Sequence, residues 1–368
     1  MKVVFIHFCF EDYSIELINS LSECVDLTVI QPDNVYFKCR PYIKSTVKVE
    51  YFKKYRIRDP RNLFSMKSMV QMVKRINPDI LHVQETNDPW YDLTHFTNHS
   101  FPLVTTIHDV YRHPGDGDLI PGSDFTRRIA IFRSKQLIVH GCKQKKQLHQ
   151  RFPELSDRVN VIPHGELGTL YKRFIDQHHA IPREQNSLLF FGRIWPYKGL
   201  SYLLKAMSLV IKEVPDVRLT IAGLGENLDQ YSHILSDEKH FTVLNRFIPP
   251  AEVTKLFLQS TAVVLPYVEA SQSGVASLAF GLGTPIIASN VGGFSEMIHH
   301  SKDGLLVPPC DVDQLAKSII YLLKNRQIQH RMKVATSTRC ETDLKWSNIA
   351  SQTLKVYQKI GRQTALVI

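Results

Sequence analysis

Two short segments hold residues suited to a charged, hydroxyl-rich ligand. In "FFGRIWPYKG" (Phe190 to Gly199), Arg193 and Lys198 bracket a Trp-Pro turn at the end of an apolar run. A guanidinium fork and a mobile ammonium together suit the two phosphates of a leaving diphosphate. In "YVEASQSGVASLAFGLGTP" (Tyr267 to Pro285), Glu269 stands alone ahead of a neutral stretch. Ser271, Gln272, Ser273 and Gly274 would open a helix there, and the N–H groups of a first helical turn attract an anion. Glycine at 274 allows a ligand close to the backbone, and the hydroxyls add donors without adding negative charge. Glu269 then serves a part of the ligand that is not anionic. The same residues also read as an ordinary helix start capped by serine.

A set of histidines ends apolar runs in the first half: His108 and His113 in "TTIHDVYRHPGD", His140 in "VHG" and His164 in "IPHG". Among 16 histidines most are structural. His108 differs in ending a strongly apolar strand, where a neutral imidazole would bond a sugar hydroxyl or steady charge at a reacting carbon. "IAGLGE" (Ile221 to Glu226) offers only GxG, and the full GxGxxG is absent here and after the first strand, which argues against a nicotinamide dehydrogenase. The cysteines, Cys9, Cys24, Cys39, Cys142, Cys310 and Cys340, form no CxxC pair or Cys/His cluster, so we expect no metal site and a reducing, cytoplasmic setting.

These residues need a scaffold. Short apolar runs alternate with amphipathic stretches throughout, the pattern of parallel sheets covered by helices. The first-half strands are "KVVFIHF", "VDLTVIQ", "VKVEYF", "DILHVQ", "PLVTTIH" and "QLIVHG"; the second-half strands are "SLLFFG", "RLTIAG", "FTVLNRF", "AVVLPY", "PIIAS" and "GLLVP". The 368 residues exceed one ordinary core, so two doubly wound α/β domains are expected. We place the first at 1–170 and the second at 180–345, with a polar linker over residues 164 to 187 between them. A final helix, 346–368, starts at an N-cap Ser347 and packs back on the first domain. Two such domains facing one another imply a ligand cleft at the carboxyl ends of their strands.

Lys and Arg outnumber Asp and Glu by 45 to 35, a net charge of +10. The excess is concentrated in "KKYRIRDPR" (Lys53 to Arg61), "RRIAIFRSK" (Arg127 to Lys135) and "KQKK" (Lys143 to Lys146). These are solvated helix faces, or a basic face toward an anionic membrane surface or phosphorylated acceptor. No nucleic-acid module is present, and nucleic acid is not expected as a partner. The apolar start reads as a buried strand, and no apolar run reaches the roughly 18 residues that span a bilayer.

Together "GRIWPYKG", "IAGLGE", "VVLPYVEASQSG", "GLGTPIIASNVGGFSE" and "DGLLVPP" resemble, in order and spacing, the carboxyl-terminal half of the retaining glycosyltransferases of family 4, which have the GT-B fold. "TTIHD" and "VIPHG" match the first half. The resemblance implies a nucleotide-sugar donor held by the second domain, an acceptor held by the first, no cofactor and no metal. Arg193 and Lys198 would hold the phosphates with the backbone at Ser273 and Gly274, and Glu269 would lie near the donor sugar hydroxyls. His108 would lie near the reacting carbon, Phe247 and Ile248 would wall the base pocket, and Glu296 would match the acid after the paired glycines. The implied reaction is hexosyl transfer with retention to a glycan or lipid-linked saccharide, in bacterial cell-surface polysaccharide synthesis at the inner membrane face. The chain departs from the family at Ser277, where the second glutamate of E-x7-E, a ribose ligand, would stand. That departure raises the alternative of a catalytically silent member that binds sugar nucleotide or a partner glycosyltransferase.

Overall fold

The computed structural model describes residues 1–34, 40–86, 88–94, 101–111, 123–176 and 181–365. His113 and Cys39 lie outside them. The chain divides into two compact units, one of described residues up to Gly165 together with those from Lys345 on, the other running from Glu166 to Leu344.

In the first unit the strands are β1 (Lys2–Ile6), β2 (Asp26–Pro32), β3 (Lys48–Phe52), β4 (Ile80–Gln84), β5 (Leu103–Thr106), β6 (Gln136–Val139) and β7 (Val159–Val161). The helices between them are α1 (Glu11–Leu21), α2 (Asn62–Ile76), α3 (Pro89–Leu93), α4 (Ser123–Arg133) and α5 (Cys142–Arg151). All pairings are parallel, in the order β3-β2-β1-β4-β5-β6-β7. A parallel sheet is covered on both faces, and so β1 is an apolar run and β4 is buried throughout, His82 and Gln84 included. Val4, Ile6, Met66, Met69, Val83 and Tyr91 fill one core.

The second unit has α6 (Gly168–Lys172), β8 (Ser187–Phe191), α7 (Leu200–Glu213), β9 (Arg218–Ala222), α8 (Ser232–Leu235), β10 (Phe241–Leu244) and α9 (Pro250–Gln259). It continues through β11 (Ala262–Leu265), α10 (Gly274–Gly281), β12 (Ile286–Ser289), α11 (Phe294–Met297), β13 (Gly304–Val307), α12 (Val312–Lys324) and α13 (Arg326–Glu341). Its sheet is also parallel, ordered β10-β9-β8-β11-β12-β13. The core joins Phe190, Leu203, Met207, Ile221, Val264 and Ile319. Starting at β8, the chain winds outward through β9 and β10, then returns to the other side of β8 with β11. Between β8 and β11 the strand order reverses, the place where open α/β sheets bind ligands.

A last helix, α14 (Trp346–Ala365), packs on α1 within the first unit. It starts one residue before Ser347: the Lys345 carbonyl takes the amides of Asn348 and Ile349, and Trp346, already in the helix, is buried edge-on against Tyr13 at 5.2 Å. The capping position is thus Lys345, two residues before the serine that the sequence pattern favoured. The stretch read as a linker contains α6, whose Gly168 lies against Gly281 of α10 so closely that a Cβ at 168 would meet the Gly281 carbonyl carbon at 2.1 Å.

Candidate active site

At the carboxyl edge of the second sheet, loops from neighbouring strands are laced together by backbone contacts. Gly199, at φ +74°, lies under the Pro266 carbonyl, where a Cβ would meet the oxygen at 1.9 Å; the Val268 amide donates to the Tyr197 carbonyl at 2.8 Å. The loop after β8 is thereby fixed to the loop after β11. Gly292, at φ +49°, lies against the Ala270 carbonyl, and the Gly293 amide donates to Ser271 O at 2.9 Å, adding the loop after β12 and, just beyond it, Glu296 on α11. On the other side Ile194 and Gly225 pair as an isolated bridge, and the Gly225 amide donates to Asn245 Oδ1 at 3.1 Å. The glycines of "IAGLGE" thus allow two backbones to run side by side, and they link the loop bearing Phe247 and Ile248 to the Arg193 loop. Phe247 is exposed and Ile248 buried.

Lys198 sits over two rings, with Nζ 3.9 Å from the centroid of Tyr267 and 5.0 Å from that of Tyr197. A cation held on aromatic faces has its position restrained. Arg193 Nη2 lies 3.5 Å from the Tyr197 hydroxyl, at the far limit of a hydrogen bond. Both tyrosines escaped the sequence reading; the signal for them was an aromatic after proline in "WPYK" and "LPY". Glu269 is on the exposed crest of the β11 loop. Ser273 caps α10 in extended conformation, its hydroxyl accepting from the Ala276 amide at 3.4 Å. Gln272 Oε1 is buried and finds no partner. Ser277 is 1% exposed. At Gly274 an added Cβ would meet nothing closer than Leu167 Cδ1 at 3.9 Å, and its φ is not in the left-handed region. Neither backbone nor packing requires glycine there.

In the first unit His108 is wholly buried, two residues past β5. Its backbone amide donates to Glu85 Oε2 at 3.1 Å, and the Glu85 carboxylate pairs with Arg127. His140 Nδ1 lies 3.1 Å from the Ile162 carbonyl, which only accepts, so in a neutral ring Nε2 is left as an acceptor. His108 Nδ1, 3.2 Å away, must then donate, and His108 Nε2 is bare. Gln84 Oε1 stands 2.8 Å from that nitrogen while Gln84 Nε2 is buried without a partner; turning the amide over satisfies both. Burial, and then the neighbouring His140 and His164, hold His108 far below the ordinary imidazole range. Burial likewise lowers His140 to about 3 and His164 to about 4. The face of His108 is covered by Phe10, the rings stacked at 3.7 Å. Phe10 itself takes the left-handed conformation, φ 58° and ψ 43°. Among the described residues no group of three or more His, Cys, Asp or Glu is placed to hold a metal ion.

A family model for glycosyl transferases group 1 matches residues 171–339, and one for a glycosyl transferase 4-like domain matches residues 2–141. The D-inositol 3-phosphate glycosyltransferase of Frankia alni is 30% identical over 288 residues, covering 73% of this chain and 70% of that protein. The chain belongs to the group 1 glycosyl transferases. The phosphatidyl-myo-inositol mannosyltransferase of Mycobacterium leprae is 29% identical to this glycosyltransferase, with 77% and 74% covered. Among solved structures, the sucrose-phosphate synthase of Thermosynechococcus elongatus superimposes with a TM-score of 0.76 at 16% identity, over 99% of this glycosyltransferase and 100% of that chain. Anabaena HepE, solved in complex with UDP and glucose, gives 0.72 at 16% identity over 98% and 100%. At these identities the likeness is one of fold, and the fold is GT-B.

Proposed function

We propose that the chain moves a hexosyl group from a nucleotide-diphosphate sugar to a glycan or lipid-linked saccharide, with retention of configuration. The observation that carries this is the lacing of the loop after β8, which bears Arg193 and Lys198, to the loop after β11, which leads into α10 at Gly274, where the strand order reverses. The positive groups take up the charge that grows on the departing diphosphate, worth on the order of 1.5–3 kcal/mol for each charge-assisted bond. Glu269 binds hydroxyls of the donor sugar, and Phe247 and Ile248 receive the base. The reacting carbon passes through an oxocarbenium-like state beside the leaving group, with His108 steadying its charge once the Phe10 ring leaves the imidazole face. A structural neighbour solved with UDP and glucose, and a relative that is a mannosyltransferase, support a hexosyl donor. The setting we propose is polysaccharide synthesis at the inner face of a bacterial membrane, with the basic first unit toward anionic lipid.

Purified protein tests this directly. Melting temperature should rise with one nucleoside diphosphate, since a ligand of the native state alone raises apparent stability. Donor hydrolysis or transfer should fall at least about a hundredfold in Lys198→Ala and Glu269→Gln, each removing an interaction of about 3 kcal/mol. Unchanged rates in both would overturn the site. A second reading, a silent member that binds sugar nucleotide without turnover, draws on Ser277 in place of an acid; nucleotide-dependent stabilisation without any donor consumption would favour it.

A further inference from the structure

Helix α2 begins with two apolar side chains in solvent: Leu63 is 62% and Phe64 73% exposed. The rest of its apolar set is turned inward, with Met66, Met69 and Val73 in the core. Around the pair is a dense set of cations. Between Lys53 and Ile76 stand Lys53, Lys54, Arg56, Arg58, Arg61, Lys67, Lys74 and Arg75 against Asp59 alone. Lys54, Arg61 and Arg75 are matched to Asp88, Asp59 and Glu50. Among the described residues Lys53, Arg56, Arg58, Lys67 and Lys74 have no ion pair, and α2 has no acid in its first turn. The loop that carries the first of these is pinned to the helix start. Buried Asn62 accepts from the Tyr55 amide at 3.1 Å and donates to the Arg56 carbonyl at 2.9 Å, and Trp90 Nε1 donates to the Ile57 carbonyl at 2.6 Å. Lys53 and Arg61 both lie over the Tyr55 ring, at 5.4 and 4.3 Å. Lys67 follows Phe64 and Leu63 by three and four residues, on the same face.

We propose that this corner is a membrane-insertion site, with Leu63 and Phe64 entering the acyl boundary of an anionic bilayer while Lys53, Arg56, Arg58 and Lys67 sit among its headgroups. It rests on the reading of a lipid-facing first unit and gives that reading a point of entry. The charge selects the occupant: a second copy would present the same cations and be repelled. A nucleic acid would leave two large apolar groups in water. Only a surface that is anionic outside and apolar within satisfies both sets of side chains.

The test is flotation of the full chain with vesicles of phosphatidylcholine alone or mixed with phosphatidylglycerol. Wild type should bind only the mixed vesicles, less so at high salt. Replacing Arg56 and Arg58 by alanine should weaken binding about fivefold per charge removed. Leu63→Ser with Phe64→Ser, which leaves the charge unchanged, should weaken it at least about tenfold, with melting temperature and donor hydrolysis unchanged. Phe64→Trp should give blue-shifted emission on mixed vesicles. Binding that survives the double serine change, with no emission shift, keeps the electrostatic reading and overturns insertion. Wild type that ignores mixed vesicles overturns both, and donor turnover, measured without lipid, reports separately on the transferase reading.

Discussion

Phe10 holds a backbone conformation that costs a non-glycine residue on the order of 1–2 kcal/mol, and it does so with its ring laid on His108. The stack removes water from an imidazole whose two nitrogens already face Gln84 and His140. Depressed basicity in His108 is therefore chiefly a product of this cover and of the strands beneath. Phe10→Ala should admit water and raise the His108 pKa toward 6.5, readable from the ring-proton titration in NMR; a His108 titration that does not move would show that the strands alone set it. Nothing in "HFCFEDYS" marks a left-handed phenylalanine. The histidines behind it, His108, His140 and His164, stood out as strand ends, but their contacts with one another and with Gln84 join residues far apart in sequence and were not legible before the fold existed.

Glycines on the second sheet's edge separate two kinds of structural need. Gly199 combines φ +74° with a carbonyl where its Cβ would go, whereas Gly274 has ordinary backbone and open space. Gly199→Ala should lower stability by several kcal/mol, as a strained and clashing backbone site does. Gly274→Ala should leave stability within about 1 kcal/mol, since the site is free of strain, while weakening nucleoside diphosphate binding; calorimetric melts with and without nucleotide separate the two. The strands that position these loops were readable because buried parallel strands are continuous apolar runs bounded by polar turns. β7 was not, for "VNV" is a three-residue edge strand with a polar centre and only one fully buried end. The cap of α14 was placed two residues late, at Ser347, because serine is a strong capping signal in sequence, whereas in the structure the Lys345 carbonyl takes the first amides.

At the scale of the molecule the two units differ in how they meet acid. His7, His82 and His164 are buried and neutral, at about 4, 3 and 4, with His108 and His140 shifted in the same direction, all in the first unit. Unfolded, each has a value near 6.5. The unfolded chain thus binds more protons below that pH, so stability is intact above 6.5 and is lost as pH falls toward 4. The loss is about 2 kcal/mol per histidine by pH 5. Asp92, pushed up to about 7 by burial, works the other way and returns about as much as one histidine takes over the same fall. A single calorimetric transition at pH 7.5 should split by pH 5, with the first unit melting early; a melt that shifts without splitting would sink this.

The first unit is built from both ends of the chain, and the second lies wholly between them. A ribosome makes such a protein out of order. When Leu344 has left the exit tunnel the later unit has every strand and helix it needs, while the earlier one still awaits α14, whose Tyr357 hydroxyl closes on His82 Nδ1 at 2.5 Å. Until that helix arrives, an apolar flank of α1 and the ring of Tyr13 are open to any passing chaperone, so the half translated first is the half finished last.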